Sequence, residues 1–258
     1  LHLLSRRQRQ MCIRDSGKVE FVQEEDLALN RASDRGGDIV VWSSRCCSNF
    51  LEKAKEKGVK VWRMEDGFLR STGLGSDFNT PYSLVLDSRG IYYDPRQASE
   101  LEQLLLTITD RKDFARLVQR AEKLRDFLIK NKLSKYNLAL EDIQWNQKIE
   151  GKKIILIPGQ VEGDASVING GGKIQSNLDL IRAVRKNNPN AYIIYKPHPD
   201  VQAKNRPGNL SQETLGVYVD YVAEKGSLDS WLRVIDELHT LTSLSGFEAL
   251  IRGITVYT

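Results

Sequence analysis

The sequence predicts an α/β protein made of two Rossmann-like domains whose parallel sheets face a cleft. From residue 38 onward, short β-branched runs alternate with segments of helical periodicity. Neighbouring parallel strands need crossover connections of this kind. A polar stretch over 130–153 has little periodicity and separates an earlier alternating set from a later one. We therefore expect one domain over 19–150 and a second over 151–258.

The earlier set shows the spacing of both element types. Gly58 follows a helical run at a position that suits a helix C′ residue. The elements predicted here are a strand over 38–43, a helix over 49–57, a strand over 59–64, a hairpin of 83–87 with 90–93 turning at 88–89, and helices over 98–106 and 112–129.

The later set begins with the apolar run KIILI. The elements predicted here are a strand over 153–157, a helix over 175–186, a strand over 191–195, a helical turn over 230–233, a strand over 237–241, a helix over 244–252 and a strand over 254–257. The chain stops inside this last strand, so we expect the second domain to be truncated. Residues 1–18 are basic and lack a buried period, and we expect a non-native or disordered leader.

Composition excludes several classes of protein. Apolar residues make up 40% and charged residues 28%, as in ordinary globular proteins. The net charge of +4 suits an anionic ligand or an acidic membrane surface, but no basic stripe predicts nucleic-acid binding. No run reaches the roughly 18–20 apolar residues of a membrane span, and no signal peptide is visible. Cys12, Cys46 and Cys47 lack a disulfide or metal spacing and predict reduced thiols in the cytoplasm.

Ligands of open α/β sheets bind beyond the carboxyl ends of strands, so the segments after strands are the candidates for chemistry. The first is MEDGFLRSTGLG over 64–75. Glu65 and Asp66 lie at a predicted strand end, where a carboxylate can act as general acid or base. The alternative is a solvated turn with a helix cap.

The second segment, PGQVEGDAS over 158–166, places Glu162 and Asp164 in a glycine-bounded loop. A carboxylate on such a loop can be aimed at a reacting carbon. An ordinary acidic strand-to-helix loop is the alternative reading.

The third segment is YKPHPD over 195–200. Two prolines hold the backbone around His198, and Lys196 adds a cation, a combination that suits a phosphate. A structural histidine is the alternative. In the fourth segment, Thr242, Ser243 and Ser245 precede a predicted helix whose N-terminus attracts anions. That pattern also predicts a capping box with Glu248.

Together these segments resemble the capsule polysaccharide biosynthesis family of β-Kdo transferases, of the KpsC type. The resemblance covers about 38–258 and rests on the order of several short strings. The matching strings are EDGFLRSTGLG, PYSLVLDSRGIYYD, KYN, GQVEGDAS, YKPHPDV and TSLSGFEALIRG. Residues 1–18 match nothing in the family, and one module is present where larger members carry two in tandem.

The resemblance implies a GT-B-like fold and a retaining transfer of Kdo from CMP-Kdo. It makes Asp164 the candidate nucleophile and Glu65 the candidate acid/base, brought together by domain closure. The remaining implied roles are CMP binding by Lys196, His198, Ser243, Ser245 and Glu248, and sugar or acceptor binding by Arg70, Ser71 and Gln160.

The resemblance also implies partners. The acceptor is a lipid-linked, phosphatidylglycerol-type oligo-Kdo, reached from the cytoplasm at the inner face of the inner membrane, with peripheral contacts to that membrane and to capsule assembly proteins. No cofactor and no metal are expected, since no ligand cluster or DxD string occurs. Two alternatives stay open: a CMP-dependent transferase of another acidic sugar, such as a sialyltransferase-like enzyme, and a non-catalytic glycan- or glycolipid-binding module.

Overall fold

The computed structural model describes residues 19–75, 77, 79–138, 141–145, 149 and 151–258, so the expected leader lies outside the described residues. The chain forms two compact units. Unit 1 contains the residues up to 71 together with 77–111, and unit 2 contains 72–76 and 112–258. The domain boundary expected at 150 therefore falls inside unit 2.

Unit 1 is a three-stranded sheet with helices. Its elements are α1 (Glu25–Arg35), β1 (Ile39–Trp42), a 3₁₀ turn (Ser43–Arg45), α2 (Ser48–Glu56), β2 (Val61–Asp66), β3 (Leu84–Asp87), α3 (Glu100–Thr107) and a 3₁₀ turn (Ile108–Asp110). The core beneath the sheet packs Leu29 of α1 against Phe50 and Ala54 of α2. Gly58 takes φ +66°, the left-handed conformation expected after a helix.

Unit 1 departs from the prediction at β3. The sheet order is β1-β2-β3, with β1 and β2 parallel but β2 and β3 antiparallel, so the sheet is mixed rather than parallel. The predicted hairpin of 83–87 with 90–93 is wrong, because residues 90–93 form no strand. The buried Asp87 explains this: its carboxylate accepts from the backbone N–H groups of Arg89, Gly90 and Glu100, which turns the chain towards α3.

Unit 2 holds a five-stranded sheet. Its elements are α4 (Phe114–Lys130), β4 (Ile154–Pro158), α5 (Ala165–Gly170), α6 (Asn177–Asn187), β5 (Tyr192–Lys196), α7 (Pro199–Gln202), α8 (Gln212–Tyr218), β6 (Tyr221–Val222), α9 (Leu228–Leu232), β7 (Glu237–His239), α10 (Ser245–Leu250) and β8 (Thr255–Tyr257). Every predicted strand and helix of this unit is present within a few residues of its expected bounds. Helices α5, α7 and α8 were not predicted.

The sheet of unit 2 is parallel throughout, in the order β6-β5-β4-β7-β8. This is the doubly wound order of a Rossmann-like fold, in which the chain runs outward from β4 first to one side and then to the other. Ile155, Ile157 and Ile193 face one apolar layer, and Leu156 and Ile194 face the other. The direction of winding changes between β4 and β7, and open α/β sheets bind their ligands beyond the carboxyl ends of the strands at such a position.

The stretch before β4 is anchored to unit 2. The Trp145 ring packs edge-on against Tyr192, Tyr221 and Trp231, at centroid distances of 6.1, 5.4 and 5.2 Å. Asp142 pairs with Arg233 at 2.9 Å. These contacts explain why the boundary precedes this stretch. Among the described residues, no helix is long and apolar enough to cross a membrane.

Candidate active site

Gln160 connects the two loops of unit 2 that follow β4 and β7. It lies two residues past β4, and its side-chain oxygen accepts from Thr242 N at 2.9 Å and from Thr240 Oγ1 at 3.3 Å, both beyond β7. Its backbone N–H donates to Asn177 Oδ1 at 2.9 Å, and Asn177 Nδ2 donates back to its carbonyl at 2.7 Å. Gln160 is buried. The family resemblance predicted a sugar or acceptor contact for Gln160. In the structure its hydrogen bonds connect two loops.

A hydrogen-bond relay runs from Gln160 to the candidate nucleophile. Gln160 Nε2 donates to Thr242 Oγ1 at 2.9 Å, Thr242 Oγ1 donates to Ser166 Oγ at 3.2 Å, and Ser166 Oγ donates to Asp164 Oδ2 at 2.6 Å. Donors that point the same way polarise one another. Asp164 is also the N-cap of α5. Both hydrogen bonds that Asp164 accepts from Ser166 go to Oδ2, and within the described part of the chain Oδ1 accepts none.

His198 presents its Nε2 as a donor. It is the N-cap of α7, where its Nδ1 accepts from Asp200 N at 3.1 Å. An accepting Nδ1 leaves the proton of the neutral ring on Nε2. Burial lowers the pKa of His198, with Lys135 and Arg206 acting in the same direction and the carboxylates of Asp200 and Asp164 opposing them. The neutral ring, with its proton on Nε2, is therefore favoured near pH 7.

Lys196 is placed differently from the sequence expectation. It ends β5, is buried, and its Nζ donates to the carbonyl of Gly226 at 2.9 Å, with Ala223 O at 3.5 Å. Burial lowers its pKa to about 8. The ammonium therefore ties β5 to the loop after β6, and that use competes with the predicted contact to CMP.

The serine cluster lies at the start of α10, as predicted. Ser243 Oγ donates to Ser245 Oγ at 3.1 Å and accepts from Ser245 N at 3.2 Å. The predicted capping box is wrong, because the N-cap residue is Leu244, which makes no side-chain hydrogen bond to the helix. The Glu248 carboxylate is instead turned to another segment.

Glu248 holds the chain before β4. Its Oε1 accepts from Lys135 N at 3.0 Å, while Oε2 is buried without a hydrogen-bond partner in the described part of the chain. Burial raises the pKa of Glu248 to about 7. Arg252 does not neutralise it, since its guanidinium donates to Asp229 and to the Glu248 carbonyl. One oxygen thus fixes the backbone of Lys135, and the predicted contact of Glu248 with CMP stays a prediction.

The KYN segment comprises residues 134–137, the string KYN together with the preceding Ser134. Ser134 and Asn137 exchange hydrogen bonds, and Asn137 takes φ +45°. Tyr136 O accepts from Gly73 N at 2.7 Å, and the Tyr136 ring lies edge-on to His198 with centroids 6.3 Å apart. Sequence reasoning quoted this string but gave it no role, since nothing local signals a long-range contact to His198.

The remaining candidates belong to unit 1. Glu65 lies in β2, where Oε1 accepts from Asp66 N at 3.0 Å and Oε2 from Tyr93 Oη at 3.3 Å. Arg70 is buried, pairs through Nε with Asp66 at 2.7 Å and donates to Ser71 Oγ at 3.0 Å. Arg70 and Ser71 therefore already serve to fold the loop after β2.

Three site residues were not singled out from the sequence as partners of Asp164, His198 or Gln160. Ser166 was visible inside GQVEGDAS, and Tyr136 inside KYN, but their partners lie far away in the chain. Asn177 carried no local signal. In the part of the chain that the structure describes, no group of three or more His, Cys, Asp or Glu could hold a metal ion.

A doubly wound parallel sheet, with an acid, a histidine and serine hydroxyls at the carboxyl ends of its strands, defines a Rossmann-like α/β protein. The expected α/β, Rossmann-like class is confirmed, with a parallel sheet in unit 2 and a mixed sheet in unit 1. The family model described as "Capsule polysaccharide biosynthesis protein" matches residues 37–258. The chain belongs to this family.

The chain is similar to two capsule or lipopolysaccharide proteins. It is 48% identical over 240 residues to "Capsule polysaccharide modification protein LipA" of Neisseria meningitidis serogroup B (strain ATCC BAA-335 / MC58), covering 92% of this chain and 33% of that protein. It is 37% identical over 208 residues to "Lipopolysaccharide-processing protein LpsZ" of Rhizobium meliloti, covering 81% and 46%. The chain thus spans between a third and a half of the length of these relatives.

Two solved structures are also similar. "Thermosulfurimonas dismutans KpsC, beta Kdo 2,7 transferase" matches with a TM-score of 0.70 and 35% identity, covering 96% of this chain and 72% of that one. "Thermosulfurimonas dismutans KpsC, beta Kdo 2,4 transferase" matches with a TM-score of 0.72 and 29% identity, covering 86% and 68%.

Proposed function

We propose that this protein is a retaining β-Kdo glycosyltransferase that transfers Kdo from CMP-Kdo to a lipid-linked, phosphatidylglycerol-type oligo-Kdo acceptor in capsule biosynthesis. The observation that carries the proposal is the group at the carboxyl ends of β4, β5 and β7, in a chain similar to two Kdo transferases. Asp164, His198, the Ser243 and Ser245 hydroxyls and Glu248 all belong to unit 2. This set suits a sugar nucleotide with one phosphate.

In the first step, Asp164 Oδ1 attacks the anomeric carbon of Kdo. The bond from that carbon to the phosphate oxygen breaks, and its electron pair leaves with CMP. The Nε2–H of His198 and the serine hydroxyls stabilise the charge on the departing phosphate. The relay through Ser166 holds Asp164 Oδ2, so the carboxylate meets the carbon in one orientation.

In the second step, the acceptor hydroxyl gives its proton to a base and attacks the same carbon. The bond to Asp164 breaks and the carboxylate is restored. Two inversions return the original anomeric configuration. Glu65 is our candidate for the base. Because the proposed acceptor is a lipid, we propose that the protein associates peripherally with the inner face of the inner membrane. We also propose that the transfer is independent of metal ions.

The test is transfer by the purified protein, with CMP release and a Kdo-extended acceptor as readouts, and with CMP-sialic acid as the competing donor. We expect release from CMP-Kdo. Release from the sialic acid donor alone would replace this proposal with a sialyltransferase-like one, and turnover of neither donor would favour a binding module.

The Asp164→Asn variant tests the mechanism. It keeps an oxygen for the N-cap of α5 but removes the nucleophile, so we expect activity to fall on the order of 10³-fold or more. Glu162→Gln is the matched control, because Glu162 is an exposed carboxylate in the same loop, and we expect activity close to wild type. Mass spectrometry without acceptor should show wild type carrying one added Kdo and the Asn variant none. Equal activity of wild type and Asp164→Asn would contradict the assignment.

A further inference from the structure

A sugar nucleotide of the proposed kind carries two anionic groups, a phosphate and a sugar carboxylate, and a neutral His198 offers one donor but no charge. The sequence suggested Lys196 as a cation for this ligand. Lys196 is buried, and its Nζ donates to two backbone carbonyls, those of Gly226 and Ala223. Two of its three N–H donors are therefore already used, which makes a second cation near His198 a candidate for the ligand.

Lys135 is held beside His198 by the KYN segment. Its backbone N–H donates to Glu248 Oε1 at 3.0 Å, which fixes the position of the residue. Its Nζ lies 5.1 Å from the centroid of the Tyr136 ring, and that ring meets His198 edge-on at 6.3 Å. The ammonium therefore lies on the same side of unit 2 as the His198 imidazole, and its side chain is only partly buried.

The segment is built to keep this position. Ser134 N donates to Asn137 Oδ1 at 2.9 Å and Asn137 N donates to Ser134 Oγ at 3.2 Å, which closes a tight turn around Lys135 and Tyr136. Asn tolerates the left-handed backbone that the turn requires. Gly73 N anchors Tyr136 O at 2.7 Å. A turn held at three points can present a charged side chain at low entropic cost.

We propose that Lys135 is a substrate-binding residue that receives an anionic group of the sugar nucleotide, its phosphate or its sugar carboxylate, next to His198. The proposal rests on the proposed function for the identity of the donor. The Lys135 ammonium acts as a point charge. The face of the Tyr136 ring attracts it on one side, and the anionic ligand would contact it on the other.

Calorimetry with the whole protein tests the proposal, using cytidine, CMP and CMP-Kdo against Lys135→Met. We expect Lys135→Met to weaken binding of at least one anionic ligand about tenfold, with cytidine unchanged. Weaker CMP binding assigns Lys135 to the phosphate, and weaker CMP-Kdo binding alone assigns it to the carboxylate. Lys135→Arg should recover most of the affinity. Lys130→Met, an exposed lysine at the end of α4, is the control. Equal loss for cytidine, or no loss beyond Lys130→Met, would overturn the proposal.

A second measurement does not depend on the donor. Histidine NMR titration should show that Lys135→Met raises the pKa of His198, whereas Lys130→Met leaves it in place, because Lys135 is one of the charges facing the imidazole together with Arg206, Asp200 and Asp164. If wild type binds no cytidine nucleotide, the proposed donor is wrong, and the NMR result decides the inference: an unchanged His198 pKa in Lys135→Met would overturn it.

Discussion

Several side chains proposed for the site in unit 2 also stabilise its fold. Glu248 uses one oxygen to hold Lys135 N, and its other oxygen is buried without a hydrogen-bond partner in the described part of the chain. His198 uses Nδ1 to cap α7, and that bond selects the neutral tautomer with its proton on Nε2. Local capping therefore fixes the orientation of these side chains independently of a ligand.

Substituting Gln160 distinguishes a structural role of this residue from a ligand-binding role. Gln160→Ala leaves Thr242 N and Thr240 Oγ1 without their buried acceptor, so we expect the ligand-free protein to lose about 1–3 kcal/mol of unfolding free energy. Urea denaturation measures the change. Gln175→Ala, at an exposed glutamine, should stay near wild type. An unchanged urea midpoint for Gln160→Ala, together with weaker acceptor binding, would contradict the structural role and favour the sugar or acceptor contact predicted from the sequence.

The elements of the two units are held by different means. In unit 2, apolar strands bury both faces of a parallel sheet, as the run IILIP of β4 indicates. In unit 1, the short sheet depends on polar anchors at its edge. Asp87, at the end of β3, binds three backbone N–H groups and thereby joins the strand to the start of α3.

Substituting Asp87 should loosen this junction. In Asp87→Asn one carboxylate oxygen becomes an amide that cannot accept, so at least one buried backbone N–H group loses its acceptor. We expect a loss of about 1–3 kcal/mol in unfolding free energy. Denaturation followed by circular dichroism measures it. Asp94→Asn removes a partly exposed ion pair with Arg96 and should lower the free energy of unfolding by less than about 1 kcal/mol. Equal stability of the two variants would show that Asp87 is dispensable.

At the scale of the whole molecule, the stability of the fold should depend on pH through Glu248. Burial raises the pKa of this carboxyl from the ordinary glutamate value of 4.5 to about 7 in the folded protein. The folded state thus binds more protons than the unfolded state between these values, and stability falls as pH rises from about 4.5 to 7. The full difference corresponds to about 3 kcal/mol.

Glu248→Gln should remove this dependence, because the amide keeps an acceptor for Lys135 N but does not ionise. We expect the free energy of unfolding of Glu248→Gln, relative to that of wild type, to increase as the pH rises from 5 to 8. Urea denaturation at each pH measures both values. Glu213→Gln, at an exposed position in α8, provides the comparison and should follow the wild-type profile. Parallel profiles for wild type and Glu248→Gln would contradict the prediction.

Much of the architecture was readable because apolar periodicity is a local property. The strands and helices of unit 2 followed from runs such as KIILI and AYIIY, and parallel pairing followed from their alternation. The failure of the predicted hairpin was not readable, because it depends on hydrogen bonds that Asp87 accepts from backbone N–H groups up to thirteen residues further along. Lys196 shows the same limit at the site: proximity in sequence to His198 suggested a shared ligand, but its partners are carbonyls thirty residues away.

The relay from Gln160 to Asp164 has a consequence for the yield of the transfer that we propose. In that mechanism, a carboxylate that could turn away from the anomeric carbon would leave the donor sugar open to attack by water. Ser166 holds Oδ2 of Asp164, which limits this rotation. The balance between transfer and hydrolysis would then depend on a hydroxyl that never touches the sugar.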